Sequence, residues 1–194
     1  MMSNLIKVSA ILLAAGLSCR MGEDKLLLNY HTISFLQQAV NLLSELPVYE
    51  RFLVTTEARL EHMTLPPCIS AYINANPENG QSGSIRIGIE AATGTHLLFL
   101  VADQPKLSLA DVMPLITAAE EFPDKIIFPV IDSKPSSPTV FPAGFRQELL
   151  KLSGDEGGRI VRDAYPKKRY TIKPENPMNF IDIDTAEDFY YLNI

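Results

Sequence analysis

The sequence predicts a three-layer α/β fold, doubly wound around a mostly parallel sheet. Short, nearly continuous apolar runs recur along the 194-residue chain, segments with helical spacing separate them, and no long polar linker interrupts the alternation. The runs are Val8–Ala14, Phe52–Thr55, Ile69–Ile73, Leu97–Val101 and Ile126–Ile131. Partly β-branched stretches of this length, without polar alternation, suit parallel strands covered on both faces. Strands alternating with helices imply right-handed crossovers, and ligands in such folds bind beyond the carboxyl ends of the strands.

Between the runs, Phe35, Leu36, Ala39, Val40, Leu42 and Leu43 repeat at three- and four-residue steps and stop before Pro47. Ile85, Ile87, Ile89, Ala91 and Ala92 predict a second helix, with Ser82 and Ser84 as candidate caps. Leu109–Phe122 predicts a third, capped by Ser108. In the last third Pro129, Pro135, Pro138 and Pro142 break up an extended stretch, and Gly154–Gly158 marks another turn. A strand is expected over Phe180–Asp184, placing Asp182 and Asp184 on one face, followed by a helix on which Asp184 and Glu187 form a capping box. Residues 1–194 are therefore read as a single domain, the last third being an elaboration of the same unit.

Hydrophobic residues make up 46% of the chain and charged residues 21%, enough to bury a real core. The formal net charge of -6 opposes nucleic acid, and the one basic cluster, Lys167, Lys168 and Arg169, reads as a solvated strand end. Val8–Ala15 is too short to span a bilayer and lacks the flanks of a signal peptide, so a membrane partner is not expected. Cys19 and Cys68 have neither metal-knuckle nor disulfide spacing, which points to a reducing cytoplasm. No histidine lies close in sequence to activate Cys19 as a nucleophile.

The first strand runs into LAAGLSCRMGEDK, Leu13–Lys25. Small residues and the two glycines Gly16 and Gly22 let backbone N–H groups approach an anion, and Arg20 and Lys25 add the fixed positive charge that a triphosphate needs. The loop lacks the Gly-Lys-Ser/Thr ending of a P-loop, and its glycines do not fit the dinucleotide fingerprint. Asp103 follows an apolar strand at its carboxyl end, where a hard cation such as Mg²⁺ takes one or two carboxylates and keeps water and phosphate oxygens for the rest.

The loop resembles the signature of the MobA/MocA-like nucleotidyltransferases, LAxGxSxRMGxxK, with Leu13, Ala14, Gly16, Ser18, Arg20, Met21, Gly22 and Lys25 filling every fixed position. The resemblance continues in order through QSGSIRIGIEAA (Gln81–Ala92), VADQP (Val101–Pro105), SPTVF (Ser137–Phe141), GDEGGR (Gly154–Arg159) and DIDTAEDF (Asp182–Phe189), and so covers nearly the whole chain. Departures fall at Ser136, Ser137 and Gly158. It implies a Rossmann-like nucleotidyltransferase fold of the glycosyltransferase A type, closest to the molybdopterin cytidylyltransferases.

By that resemblance Lys25 and Arg20 act catalytically with Asp103, and Leu13, Ala14, Ala15, Gly16, Ser18, Gly22, Gln81, Ser82 and Ser84 hold the nucleotide. Gly154, Asp155, Gly157 and Arg159 face the acceptor, a phosphorylated pterin. Asp184 joins Asp103 on Mg²⁺, with Asp182 close behind. Ala15 stands where cytidylyltransferases have Ala and guanylyltransferases Gly, which favours CTP. A molybdoenzyme or its maturation factor is a further expected partner. Competing readings are a guanylyl- or sugar-phosphate nucleotidyltransferase, a non-catalytic nucleotide-binding chaperone, and a dinucleotide-dependent oxidoreductase.

Overall fold

The computed structural model describes residues 6–17 and 24–192. Its strands are β1 (Val8–Ala14), β2 (Asn29–Tyr30), β3 (Ile33–Ser34), β4 (Glu50–Thr55), β5 (Ser70–Ile73), β6 (His96–Val101), β7 (Ile126–Ile131), β8 (Lys134–Pro135), β9 (Thr139–Pro142) and β10 (Arg169–Ile172). Its helices are α1 (Phe35–Glu45), α2 (Glu57–Leu60), α3 (Gln81–Ala91), α4 (Leu109–Glu121), α5 (Arg146–Leu150), α6 (Gly158–Ala164) and α7 (Ala186–Leu192). All five apolar runs are strands, shifted at most by two residues.

The main sheet has the order β10-β7-β9-β6-β1-β4-β5, and β8 pairs with β7. Pairings of β1 with β4 and β6, of β4 with β5, and of β10 with β7 are parallel. β9 is antiparallel to both β6 and β7. The proline-broken stretch thus supplies a strand that runs against its neighbours between two parallel sets. Because β1 and β6 pair in parallel, their carboxyl ends at Ala14 and Val101 open on the same edge.

Alternation along the central strands builds two cores. Ala10, Leu12, Ala14, Leu98 and Leu100 face Leu36, Val40, Leu43, Val112 and Leu115 of α1 and α4. Ile11, Leu13, Leu97 and Phe99 face Ile85 and Ile89 of α3, with Leu149 and Val161 completing that side. Removing these apolar faces from water is the main stabilising term for the three layers.

Three local expectations are corrected. α3 begins at Gln81, so Ser82 and Ser84 are buried inside it and do not cap it. Its start is set by Gly80, whose φ of +84° suits glycine and whose α-carbon lies so close to Gly154 that a Cβ would meet the Gly154 carbonyl carbon at 2.3 Å. No strand forms over 180–184. Pro177–Phe180 is a 3-10 turn, and the following extended segment makes one backbone bond to the sheet edge, from Ile183 N–H to Asp103 O at 2.9 Å. The cap of α7 is Thr185 with Asp188, each bonding the other's backbone N–H at 2.8 and 3.1 Å, in place of Asp184 with Glu187. Asp184 is diverted because its carboxylate is taken by Lys25. By contrast the Ser108 cap of α4 forms as expected, as a reciprocal box with Asp111.

Candidate active site

A cleft of about 530 Å³ opens at the carboxyl edge of the sheet. Leu13, Ala14, Ala15, Gly16 and Leu17 form one wall, Pro77, Glu78, Gly80, Gln81 and Ser84 another, and Lys25, Asp103 and Asp155 reach its floor and rim. Its size falls within the range of small-molecule sites. A second cavity of about 230 Å³ adjoins it, lined by Ser137, Thr139, Phe141, Gly157, Gly158, Arg159 and Arg162, and shares Leu13, Gln81, Val101 and Asp155 with the first.

Lys25 lies at the centre. Its Nζ donates to Asp103 Oδ2 at 2.9 Å, Asp184 Oδ1 at 2.8 Å and the Ile183 carbonyl at 3.1 Å. Burial alone would depress its pKa, but the Asp103 charge and the hydrogen bonds to both carboxylates outweigh burial and raise it, so the ammonium form is held. Asp103 is placed by the end of β6, Lys25 by a 3-10 turn that Asp24 caps, and Asp184 by the chain entering α7. The second oxygen of Asp103, Oδ1, is buried with no hydrogen-bond partner. A buried carboxylate oxygen left open is costly unless something cationic or protonated meets it. A divalent cation fits that requirement. Among the described residues no three His, Cys, Asp or Glu side chains form a cage, so such an ion would keep most of its ligands from water and phosphate, as Mg²⁺ does.

Asp182 behaves differently from Asp184. Although the residue is exposed, its carboxylate accepts from Gln104 Nε2 at 2.9 Å, and loss of hydration, followed by the nearby Asp103 charge, pushes its pKa up to about 6. Gln104 is buried and its amide also donates to the Phe180 carbonyl at 2.9 Å, which joins the segment after β6 to the segment before α7.

The structure gathers Leu13, Ala14, Ala15, Gly16, Lys25, Gln81, Ser84, Asp103 and Asp155 around one cleft. Ser82 lines neither cavity; its N–H donates to the Gly154 carbonyl at 3.1 Å, and Gly154 serves there as a contact between α3 and the loop before α6. Gly157 and Arg159 line the smaller cavity. Ser18, Arg20 and Gly22, with Cys19 and Met21, lie outside the described residues.

Sequence reasoning missed Arg59, Asp24, Gln104 and Asn74. Arg59 is 4% exposed and pairs with Asp24, its Nε donating to Oδ2 at 2.6 Å. Asn74 donates to Ser84 Oγ at 3.0 Å and fixes that side chain beside the cleft. Gln104 and Asp24 carried a signal, the first directly after Asp103 in VADQP and the second directly before Lys25 in the glycine loop. Arg59 in TTEARLEH looks like any surface arginine.

A family model described as the MobA-like NTP transferase domain matches residues 10–169. Among curated proteins, a probable molybdenum cofactor guanylyltransferase of Rhodopirellula baltica is 31% identical over 60% of this chain, an alignment that spans 58% of that relative's length. The purine catabolism protein PucB of Bacillus subtilis is 27% identical over 92% of each chain. A nicotine blue oxidoreductase of Paenarthrobacter nicotinovorans is 28% identical over 95% of this chain and 96% of its own. Among solved structures, the Rv0371c homologue from Mycobacterium sp. strain JC1 superposes with a TM-score of 0.82 at 21% identity, covering 96% of this chain and 94% of that one. Rv0371c of Mycobacterium tuberculosis H37Rv in complex with manganese gives 0.74 at 17% identity, covering 96% and 97%. Among the described residues no helix is long and apolar enough to cross a membrane. The family model spans most of the chain, and the sheet, the glycine loop and the cleft agree with it: the chain belongs to the MobA-like NTP transferase family of nucleotidyltransferases.

Proposed function

We propose that this protein transfers CMP from CTP to the terminal phosphate of molybdopterin or molybdenum cofactor and releases pyrophosphate, with Mg²⁺ as its cation. A phosphate oxygen of the acceptor attacks the α-phosphorus in line; the bond from the α-phosphorus to the bridging oxygen breaks and pyrophosphate leaves. No covalent enzyme intermediate is needed, and an ionised phosphate needs no general base. Lys25 holds negative charge on the phosphate oxygens together with Arg20, and backbone amides at the start of the loop, Ala15 to Leu17, add to it, so catalysis is alignment plus preorganised positive charge. Asp103 and Asp184 would hold the magnesium ion, which supplies charge neutralisation at the phosphates. Asp182, engaged with Gln104, is the weaker candidate.

The observation that carries this reading is the placement of Lys25 between Asp103 and Asp184 on the floor of the glycine-loop cleft. Ser84 and Gln81 border that cleft on the nucleotide side, and Ser18 and Gly22 belong to the same reading through the loop signature. Asp155, Gly157 and Arg159 border the adjoining cavity, where the phosphorylated pterin would sit, and Gly154 tethers that loop to α3 through Ser82 N–H. Residues 1–194 act as one domain in this reading, because β6 from the nucleotide side pairs directly with β9 from the acceptor side. A cytoplasmic setting and delivery to a molybdoenzyme or its maturation factor complete it.

Ala15 lines the cleft and supports CTP, since its methyl narrows the wall beside the base. The Rhodopirellula relative favours a second reading, guanylyl transfer. A relative named as an oxidoreductase over nearly full length shows that this fold does not by itself settle the reaction. Pyrophosphate release measured with CTP, GTP and ATP against molybdopterin is expected to be fastest with CTP. A preference for GTP would replace the base assignment, and no pyrophosphate from any pair would sink the transfer reading.

A further inference from the structure

The loop from β1 to Lys25 is held from behind by a residue of a different helix. Arg59, on α2, donates from Nη1 to the Ala14 carbonyl at 2.7 Å and from Nη2 to the Gly16 carbonyl at 2.8 Å. The same guanidinium meets both oxygens of Asp24, Nη2 to Oδ1 at 2.9 Å and Nε to Oδ2 at 2.6 Å. One side chain therefore bonds the loop where it leaves the strand and again just before Lys25. Asp24 in turn accepts from Leu26 N–H at 3.1 Å and caps the 3-10 turn that carries Lys25.

These bonds have a directional consequence. In a trans peptide the N–H points opposite to the C=O, so drawing the Ala14 and Gly16 carbonyls onto the guanidinium turns the N–H groups of Ala15 and Leu17 away from it. Both residues line the cleft. The rigid planar fork of arginine matches a carboxylate with two N–H bonds while still reaching two carbonyls; a lysine ammonium is a point donor on a flexible stem and cannot hold this set. Arg59 is 4% exposed and is absent from the residues lining either cavity, so it works through the loop.

We propose that Arg59 is a positioning residue that clasps the two ends of the glycine loop, keeping its amides and Lys25 set to receive a triphosphate. The inference rests on the reading of the cleft as a triphosphate site. Binding of CTP, GTP and ATP to the wild type is measured first by calorimetry, and the preferred triphosphate is then compared with its own nucleoside in Arg59→Lys and Asp24→Asn. Arg59→Lys should weaken the triphosphate about 10-fold or more and leave nucleoside affinity unchanged, with kcat falling as well. Asp24→Asn, which keeps the guanidinium and its two carbonyl bonds, should show the same selective loss at smaller size. If Arg59→Lys does not fold, the triphosphate-to-nucleoside ratio in Asp24→Asn decides. Equal weakening of triphosphate and nucleoside, or no change in either, would overturn the clasp. A wild type that binds none of the three triphosphates would instead defeat the reading of the cleft, and the clasp with it.

Discussion

The two ends of the parallel sheet handle their acceptor side chains differently. At the amino end, Glu50 accepts from Ser9 Oγ at 2.5 Å, Thr93 N–H at 2.9 Å and Thr93 Oγ1 at 2.5 Å, while Gly94 N–H donates to Ser9 Oγ at 2.9 Å. Each group in that network has a partner within the chain. At the carboxyl end, two neighbouring residues keep a buried oxygen with none: Asp103 Oδ1 and Gln104 Oε1. A network closed on itself stabilises the fold, whereas open acceptors beside a held ammonium are a cost to the fold that a bound cation or hydrogen-bond donor relieves. Arg51 Nε, near the amino end of β4, is also buried without a partner, so what sets the carboxyl edge apart is the pair of open acceptor oxygens beside a held ammonium.

The contrast predicts which measurement each end controls. Lys25→Ala should lower kcat by roughly 10²–10³-fold, the range for removing one preorganised charge-stabilising donor, and weaken nucleotide binding less. Single-turnover rates and nucleotide affinity measured side by side test this. Equal loss in both would mean that Lys25 only binds, and the carboxyl edge would lose its catalytic distinction.

Glu50→Gln is the counterpart at the other end. It removes the charge from three hydrogen bonds in the closed network and should cost about 1–2 kcal/mol of stability, in the range for charge-assisted bonds partly replaced by neutral ones. Chemical denaturation would give the stability, while kcat and nucleotide affinity should stay at the wild-type level. A drop in kcat without a drop in stability would erase the division between the ends.

How far the sequence disclosed this division depends on range. Runs such as Val8–Ala14 and Leu97–Val101 were legible because strands buried on both faces must be continuously apolar. Lys25, Asp103 and Asp184 were singled out from the loop's chemistry, the strand end and the family signature, and the fold brings all three within hydrogen-bond reach. What depended on distant partners stayed hidden. The start of α3 is set by Gly80 meeting Gly154, and no local cap rule contains that contact. β9 reads only as part of an extended stretch broken by prolines, because its antiparallel place is fixed by β6 and β7 on either side. Arg59 acquires meaning only when α2 packs behind the glycine loop. The strand expected to set Asp182 and Asp184 on one face does not form, and Gln104 separates the two aspartates by taking Asp182.

The smallest expected effect tests the amino end by pH. His96 is 4% exposed at the start of β6, with Nε2 3.0 Å from the Pro123 carbonyl and Nδ1 3.0 Å from Thr95 Oγ1. Because a carbonyl can only accept, the proton of the neutral ring belongs on Nε2. Burial depresses its pKa below the ordinary 6.5, and the Pro123 carbonyl only partly opposes this. The unfolded chain then takes up a proton at a higher pH than the folded one. Stability from His96 is therefore complete above pH 6.5 and is lost as pH falls through the lower, folded value. Asp182 has the opposite sign: its pKa is raised from 3.8 to about 6, so acid relieves a folded-state cost between those values. The two partly cancel in the wild type, which makes the raw pH profile a poor test and the difference between variants a good one. Denaturation midpoints at pH 7.5 and 5.5, without added divalent cation, should fall less for His96→Gln than for wild type and more for Asp182→Asn. If all three fall together, neither residue titrates differently on folding.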